Sequence, residues 1–328
     1  MSRQARPETP GKSPLKVAFV GPMSAQAHAL VHETRVEVIE DHHAADVVHV
    51  TVPAPAVADT VNGLLSSART LVLHVRPAEL DPAVIGQLAA SASTTGVVVA
   101  VPLVHRYYPM VRLARRRVRS GSPGPLHLLH GWAVPDATGA WCDLVEFMSR
   151  HRIKRLSATS VDSTGADSER DAPGVPGAMA IMFETDRGAV GTLAVSQTRP
   201  VEGGTLLAAL DGVEESIVFH EGRPEVLDVI GSRSTQRFQR GVGADVSRYS
   251  SQPVGLPQGH RDCWASFIRD AHTAGGGGSP DGLPTLVDLA RSASIAAAVR
   301  ESLATSGWAR VSVDLDLELL NTTEGRTA

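Results

Sequence analysis

Histidine and arginine are the residues of this 328-residue chain whose spacing first suggests chemistry. His28 and His32 stand four residues apart in a helix-compatible stretch, and His42-His43 follow near Glu33, Glu40 and Asp41. Imidazoles one helical turn apart can share a metal ion. No His-Glu-x-x-His pattern accompanies them, so solvated or sheet-edge histidines are expected and no metal site is. Arg112, Arg115, Arg116, Arg117 and Arg119 form a dense basic stretch. It would suit an anionic partner or phosphorylated ligand, but a solvated helix face whose charges complement the helix dipole is the expectation. His74 and His105 lie on or beside apolar runs, where hydrogen-bonded core histidines are expected. Cys142 and Cys263 have no nearby histidine in sequence and are read as inert packing residues. Only Lys12, Lys16 and Lys154 are lysines, against 31 basic residues in all, so a lysine-based proton transfer has almost no candidates.

The elements that must position these groups follow from composition. At 42% hydrophobic and 20% charged, with a net charge of -4, the chain can bury one large core or two smaller ones. Mild acidity argues against nucleic-acid binding. Two cysteines make no disulfide framework, and a reducing cytoplasm is expected. No apolar run approaches the roughly 20 residues needed to span a bilayer. Residues 1–14 lack an apolar signal-peptide core and read as a disordered lead-in.

KVAFV (16–20) is a strand that stops at Gly21 and is followed by the helical AQAHALVHE. DVVHVTVP, RTLVLHVRP and GVVVAVPLVHRYYP are near-continuous apolar runs, with helical segments at 57–68 and 82–94 between them. Unalternating strands separated by helices predict a parallel sheet covered on both faces. Residues 177–198 read as a hairpin around Asp186-Arg187-Gly188, and short glycine-punctuated strands continue to about 240. Helices are predicted at 260–274 and 283–307, the latter with Pro284 in its first turn. The expectation is α/β: a Rossmann-like parallel sheet domain over 15–125, then an α+β domain with an open, largely antiparallel sheet over 126–316, and a tail at 317–328.

The order of these pieces resembles the glucose–fructose oxidoreductase, inositol dehydrogenase and MocA (Gfo/Idh/MocA) family. VTVPAPAVAD is similar to its strand end with a Thr-Pro turn, and LVLHVRPAEL to its strand ending in Glu-Lys-Pro. Arg106-Tyr107-Tyr108-Pro109 resembles its Arg-Tyr-x-Pro step, and LPTLVDLARSASIAAAVRESLATSGWARV its closing helix. The resemblance implies an NAD- or NADP-dependent oxidoreductase acting on a small polar molecule such as a sugar or natural-product intermediate. It also implies a C-terminal domain that carries substrate and forms a homodimer through its open sheet.

The same resemblance assigns the site residues, with departures. The glycine fingerprint, which lets backbone approach a pyrophosphate, falls on Gly21-Pro22-Met23-Ser24-Ala25-Gln26 and keeps one glycine. Gly21, Ser24 and Pro53 are the implied cofactor-binding residues. Only 31 residues separate Gly21 from Pro53, so about one βα unit of the adenosine half is missing. RVEVIEDHHAAD is either the ribose-binding strand, with Glu40 or Asp41 at its tip, or the strand after it. Arg76 stands for the catalytic lysine and cannot release a proton, though it can orient a carboxylate or phosphate. The Asp-x-Gly-x-His-x-x-Asp signature falls on Asp136 to Asp143, keeping both aspartates but replacing the histidine with Ala140. Arg76, Asp136 and Asp143 are therefore the implied catalytic positions. Arg106 is a substrate contact or a structural salt bridge. His260 is the candidate replacement acid, set against helix capping or interface packing. Two functions remain: the oxidoreductase, and a non-redox accessory, binding or scaffold homologue that has lost nicotinamide chemistry.

Overall fold

The computed structural model describes residues 14–22, 31, 36–75, 80–161, 177–197, 204–242 and 249–312. Two sheets organise them. The first is parallel and contains β1 (Lys16–Val20), β2 (Glu37–Val38), β3 (Val47–Val50), β4 (Thr70–Leu73) and β5 (Val98–Ala100), in the order β2-β1-β3-β4-β5. β3 and β4 are buried at every position, as expected of short Val/Leu runs covered on both faces.

One face takes Ala18, Val48, Leu71 and Leu73 under helices α1 (Val57–Leu64) and α2 (Pro82–Thr95). α2 starts where the Asp81 carboxylate accepts the Ala83 N–H at 2.7 Å, and it stops at Gly96, whose φ is +72°.

Beyond β5 a single 3-10 turn (Val104–Tyr107) leads into α3 (Pro109–Arg119). The second sheet then begins with β6 (Leu126–Ala133), followed by α4 (Thr138–Ser149), β7 (Ile153–Val161), β8 (Ala178–Thr185) and β9 (Val190–Ser196). Next come β10 (Leu206–Gly212), β11 (Glu215–His220), β12 (Val226–Gly231) and β13 (Thr235–Gln239). Helices α5 (His260–Gly275) and α6 (Leu286–Thr305) and the short β14 (Ala309–Arg310) complete the described chain. The nine-stranded order is β13-β12-β11-β10-β6-β9-β8-β7-β14, and the β6–β9 pair alone is parallel.

The second face of the parallel sheet, with Val17, Val47, Val72 and Ala100, is covered by α5, whose Cys263, Phe267, Ile268 and Ala271 are fully buried. Each such side chain contributes about 1.5–3 kcal/mol. α5 runs against the strands. Near its start Trp264 stacks on His74, just past β4, at 5.7 Å between centroids. At its end Gly275 lies on Val47, where an added Cβ would meet Val47 Cγ2 at 2.2 Å. Thus α5 delivers its first residue, His260, to the edge where the parallel strands end.

Two expectations change, and one open alternative is decided. Pro284 is not in the first turn of α6: Thr285 is the N-cap, and the Pro284 carbonyl accepts the Val101 N–H at 3.0 Å. The α3 arginines are a solvated face only in part: Arg116 and Arg119 are exposed in the last turn, and the other three are not. Arg112 is buried over the Tyr107, Phe147 and Tyr249 rings and donates to the Asp281 carbonyl at 2.6 Å. Arg115 donates to the Phe147 carbonyl and Arg117 to Glu215, so these side chains tie α3 to α4 and β11. Third, RVEVIEDHHAAD supplies β2, directly beside β1, the position of a ribose-side strand. Among the described residues no strand lies outside it.

Candidate functional site

Ligands of open parallel sheets gather beyond the carboxyl ends of the strands. There the turn after β5 brings His105 to Glu221, the residue following β11, and to His260 at the start of α5. His105 Nε2 lies 3.1 Å from Glu221 Oε1, and the Tyr108 hydroxyl donates to the same oxygen at 3.2 Å. The other oxygen accepts the Thr205 N–H at 2.8 Å and the Thr205 hydroxyl as well. The backbones there cross closely, since a Cβ on Gly204 would lie 2.3 Å from the Gly222 N. The His105 and His260 rings meet edge to face at 5.5 Å. The ligand atoms of His105, Glu221 and His260 all lie within 4.8 Å of one another.

The electrostatics follow from these contacts. Burial alone would raise the Glu221 carboxyl, but donors from His105 and Thr205 outweigh it and hold the group at about 2. Partial burial and then the neighbouring His105 lower His260. His260 does not cap its helix: Gly259 is the N-cap, and its N–H donates to Asp262 at 2.9 Å.

The ends of β1 and β3 bring Gly21 and Pro53 together. Gly21 has φ +96°, and a Cβ there would sit 3.0 Å from the Val52 N, so this turn requires glycine. Pro53 opens a 3-10 turn, Ala54–Ala56. This close backbone approach at the strand ends is what a pyrophosphate-binding turn needs. The adenosine half fits poorly. β2 pairs level with Lys16 and Val17, three residues short of the end of β1, and then leaves the sheet. Asp41 accepts the His43 N–H at 2.9 Å, capping the turn His42–Ala44, and Glu40 before it is exposed outside the strand. Ser24 and Arg76 lie outside the described residues, as do His28 and His32.

Arg106 and Asp143 face each other in the interior. Arg106 Nε donates to Asp143 Oδ2 at 2.9 Å, and Nη2 donates to Asp143 Oδ1 and, at 2.7 Å, to Asp288 Oδ1. Asp136 is exposed in the turn before α4 and takes no part in that contact. Both cysteines are buried, and burial pushes the Cys142 thiol up to about 12, which suits packing and not nucleophilic attack.

A second histidine group lies behind the strand ends. His49 on β3 connects His74, at 2.8 Å, to His272 of α5, at 3.0 Å. Burial lowers His74 and His272 to about 4. His74 is thus the hydrogen-bonded core histidine expected, whereas His105 belongs to the edge cluster. Sequence reasoning missed Glu221, the Tyr108 hydroxyl and His272. Their partners lie 116, 113 and 223 residues away, and no local pattern marks them.

No protein-family model matches the chain, and no curated protein sequence does. Solved structures do. An oxidoreductase from Sinorhizobium meliloti superposes with a TM-score of 0.78 at 17% identity, covering 90% of this chain and 99% of that one. Levoglucosan dehydrogenase in complex with NADH and levoglucosan gives 0.75 at 17% identity, with 90% and 99% covered. An inositol dehydrogenase homologue from Azotobacter vinelandii, complexed with NADH and myo-inositol, gives 0.72 at 15% identity, with 90% and 97% covered. The chain has the two-part fold of these oxidoreductases over nearly its whole described length.

Proposed function

We propose that the chain is a Gfo/Idh/MocA-type oxidoreductase that uses a nicotinamide dinucleotide and acts on a small polar molecule of the sugar or polyol class. The observation that carries this reading is the His105–Glu221–His260 cluster at the carboxyl edge of a parallel sheet. The bound cofactor supplies a hydride acceptor or donor.

The remaining chemistry belongs to this chain. Glu221 accepts four hydrogen bonds, from His105, Tyr108 and twice from Thr205, so its lone pairs are occupied and it orients instead of acting as a base. His260 stands at the rim beside it and takes the proton of a substrate hydroxyl during oxidation, returning it during reduction. It does the work for which Arg76 and Ala140 are unsuited. Arg106 and Asp143 we assign to holding α4 and the β5 crossover together, not to substrate.

One observation favours the second reading, a non-redox binding or accessory homologue: β2 stops short of the ribose position. Titration with NADH and NADPH, read by nicotinamide fluorescence and melting temperature, separates the two. Saturation near micromolar supports the oxidoreductase, and no response at millimolar leaves the accessory protein.

Among the described residues one strip of the nine-stranded sheet is exposed. Ala180 pairs with Ala194 and Met182 with Thr192, and Met182 is 54% exposed. A second copy of the chain covering that strip is the oligomer this reading includes. No helix among the described residues is long and apolar enough to cross a membrane.

A further inference from the structure

We propose that His105, Glu221 and His260 form a binding site for a divalent transition-metal ion of the zinc class. The inference rests on the proposed site above and names a cofactor for it.

Three observations on the cluster converge. Its ligand atoms come from three separate elements, the turn after β5, the end of β11 and the start of α5, yet lie within 4.8 Å of one another. Two imidazoles and one carboxylate are a ligand set that binds zinc and leaves a further position open. The outer contacts suit ligation too: Thr205 fixes one Glu221 oxygen through its N–H and hydroxyl, and Tyr108 donates to the other. Ligating carboxylates in metal sites are held in this way. Finally, among the described residues the only ion-pair partner of Glu221 is His105. Among the described residues, then, no arginine or lysine pairs with this largely enclosed carboxylate, whose side chain is 12% exposed. A cation between the imidazoles supplies that charge.

On binding, the His105–Glu221 hydrogen bond gives way to two metal bonds, and the proton His105 carries on Nε2 moves to Nδ1. With the ion bound, the His260 ring gives its lone pair to the metal instead of taking the substrate proton itself, and a hydroxyl or water held at the remaining position would lose its proton to solvent more readily.

The test uses the full chain, stripped with a chelator and dialysed. Zn²⁺ is titrated by calorimetry, and Co²⁺ by its visible absorption. One ion per chain at micromolar affinity or tighter is expected, with an absorption band of tetrahedral or five-coordinate Co²⁺. His260→Ala, at an exposed rim position, and Glu221→Gln should each weaken binding at least about 100-fold, and Tyr108→Phe about 10-fold. His42→Ala and His43→Ala should leave it unchanged, and melting curves confirm that each variant is folded. Absence of stoichiometric binding, or equal affinity in wild type and His260→Ala, overturns the proposal. NADH titration of the metal-free protein is a separate readout, so the metal site and the oxidoreductase assignment can fail independently.

Discussion

Arg106 grips Asp143 with two nitrogens across 37 residues of chain, and the same guanidinium reaches Asp288 at 2.7 Å. The contact ties the turn after β5 to α4 and to the first turn of α6, and both side chains of the Arg106–Asp143 pair are about 5% exposed. Removing one partner of a buried pair leaves an uncompensated charge, which costs about 3–5 kcal/mol. Arg106→Ala, which strands the Asp143 and Asp288 carboxylates, should therefore lose about that much stability in a urea melt. Asp136→Ala, on an exposed turn, should stay within about 0.5 kcal/mol. Similar small losses in both variants would remove the structural role given to the pair.

Stability should fall on acidification. His74 and His272 are held at about 4, below the ordinary 6.5, because burial disfavours their charged forms. Between those values the unfolded chain binds more protons than the folded one. Stability is then complete above about pH 7 and declines as pH drops through the window, at up to about 1.4 kcal/mol per pH unit for each group. Each link through His49 needs one N–H and one lone pair, which neutral rings provide. His272→Gln should flatten the slope measured by melts from pH 7 to 4.5; an unchanged slope would show that this ring does not titrate on unfolding.

Gly21→Ala places a Cβ 3.0 Å from the Val52 N at φ +96°. A loss of about 1–3 kcal/mol is expected, together with weaker NADH binding at temperatures where the variant is fully folded. Wild-type affinity in the folded variant would separate Gly21 from the nucleotide.

The exposed strip of the second sheet makes Met182 the sharpest probe of assembly. Wild type should sediment as a dimer and Met182→Asp as a monomer with unchanged circular dichroism. A monomeric wild type would reject the interface.

Strand and helix identities were readable because VVHV, TLVL and their neighbours are buried on both faces and carry their burial as unbroken apolar runs. The missing adenosine unit was readable as chain length. Its consequence was not, because how far β2 climbs depends on pairing with Lys16 and Val17, which composition does not encode. Arginines on α3 read as solvated because charge suggests exposure, whereas ring stacking over Tyr107 and Phe147 lets a guanidinium be buried. His260 was singled out by its resemblance to a Gly-His pair, and the fold sets it beside His105. Glu221 was not, since one glutamate after a short strand carries no signal until the fold brings it to His105.

The most direct measurement is turnover of NAD(P)H or NAD(P)⁺ with a panel of polyols and sugars, run beside cofactor titration for wild type and His260→Ala. The account predicts saturable nicotinamide binding in both proteins and a rate reduced about 10²–10⁴-fold in the variant. Wild type that binds no nicotinamide at millimolar concentration, or a His260→Ala protein that turns over at the wild-type rate, would contradict it.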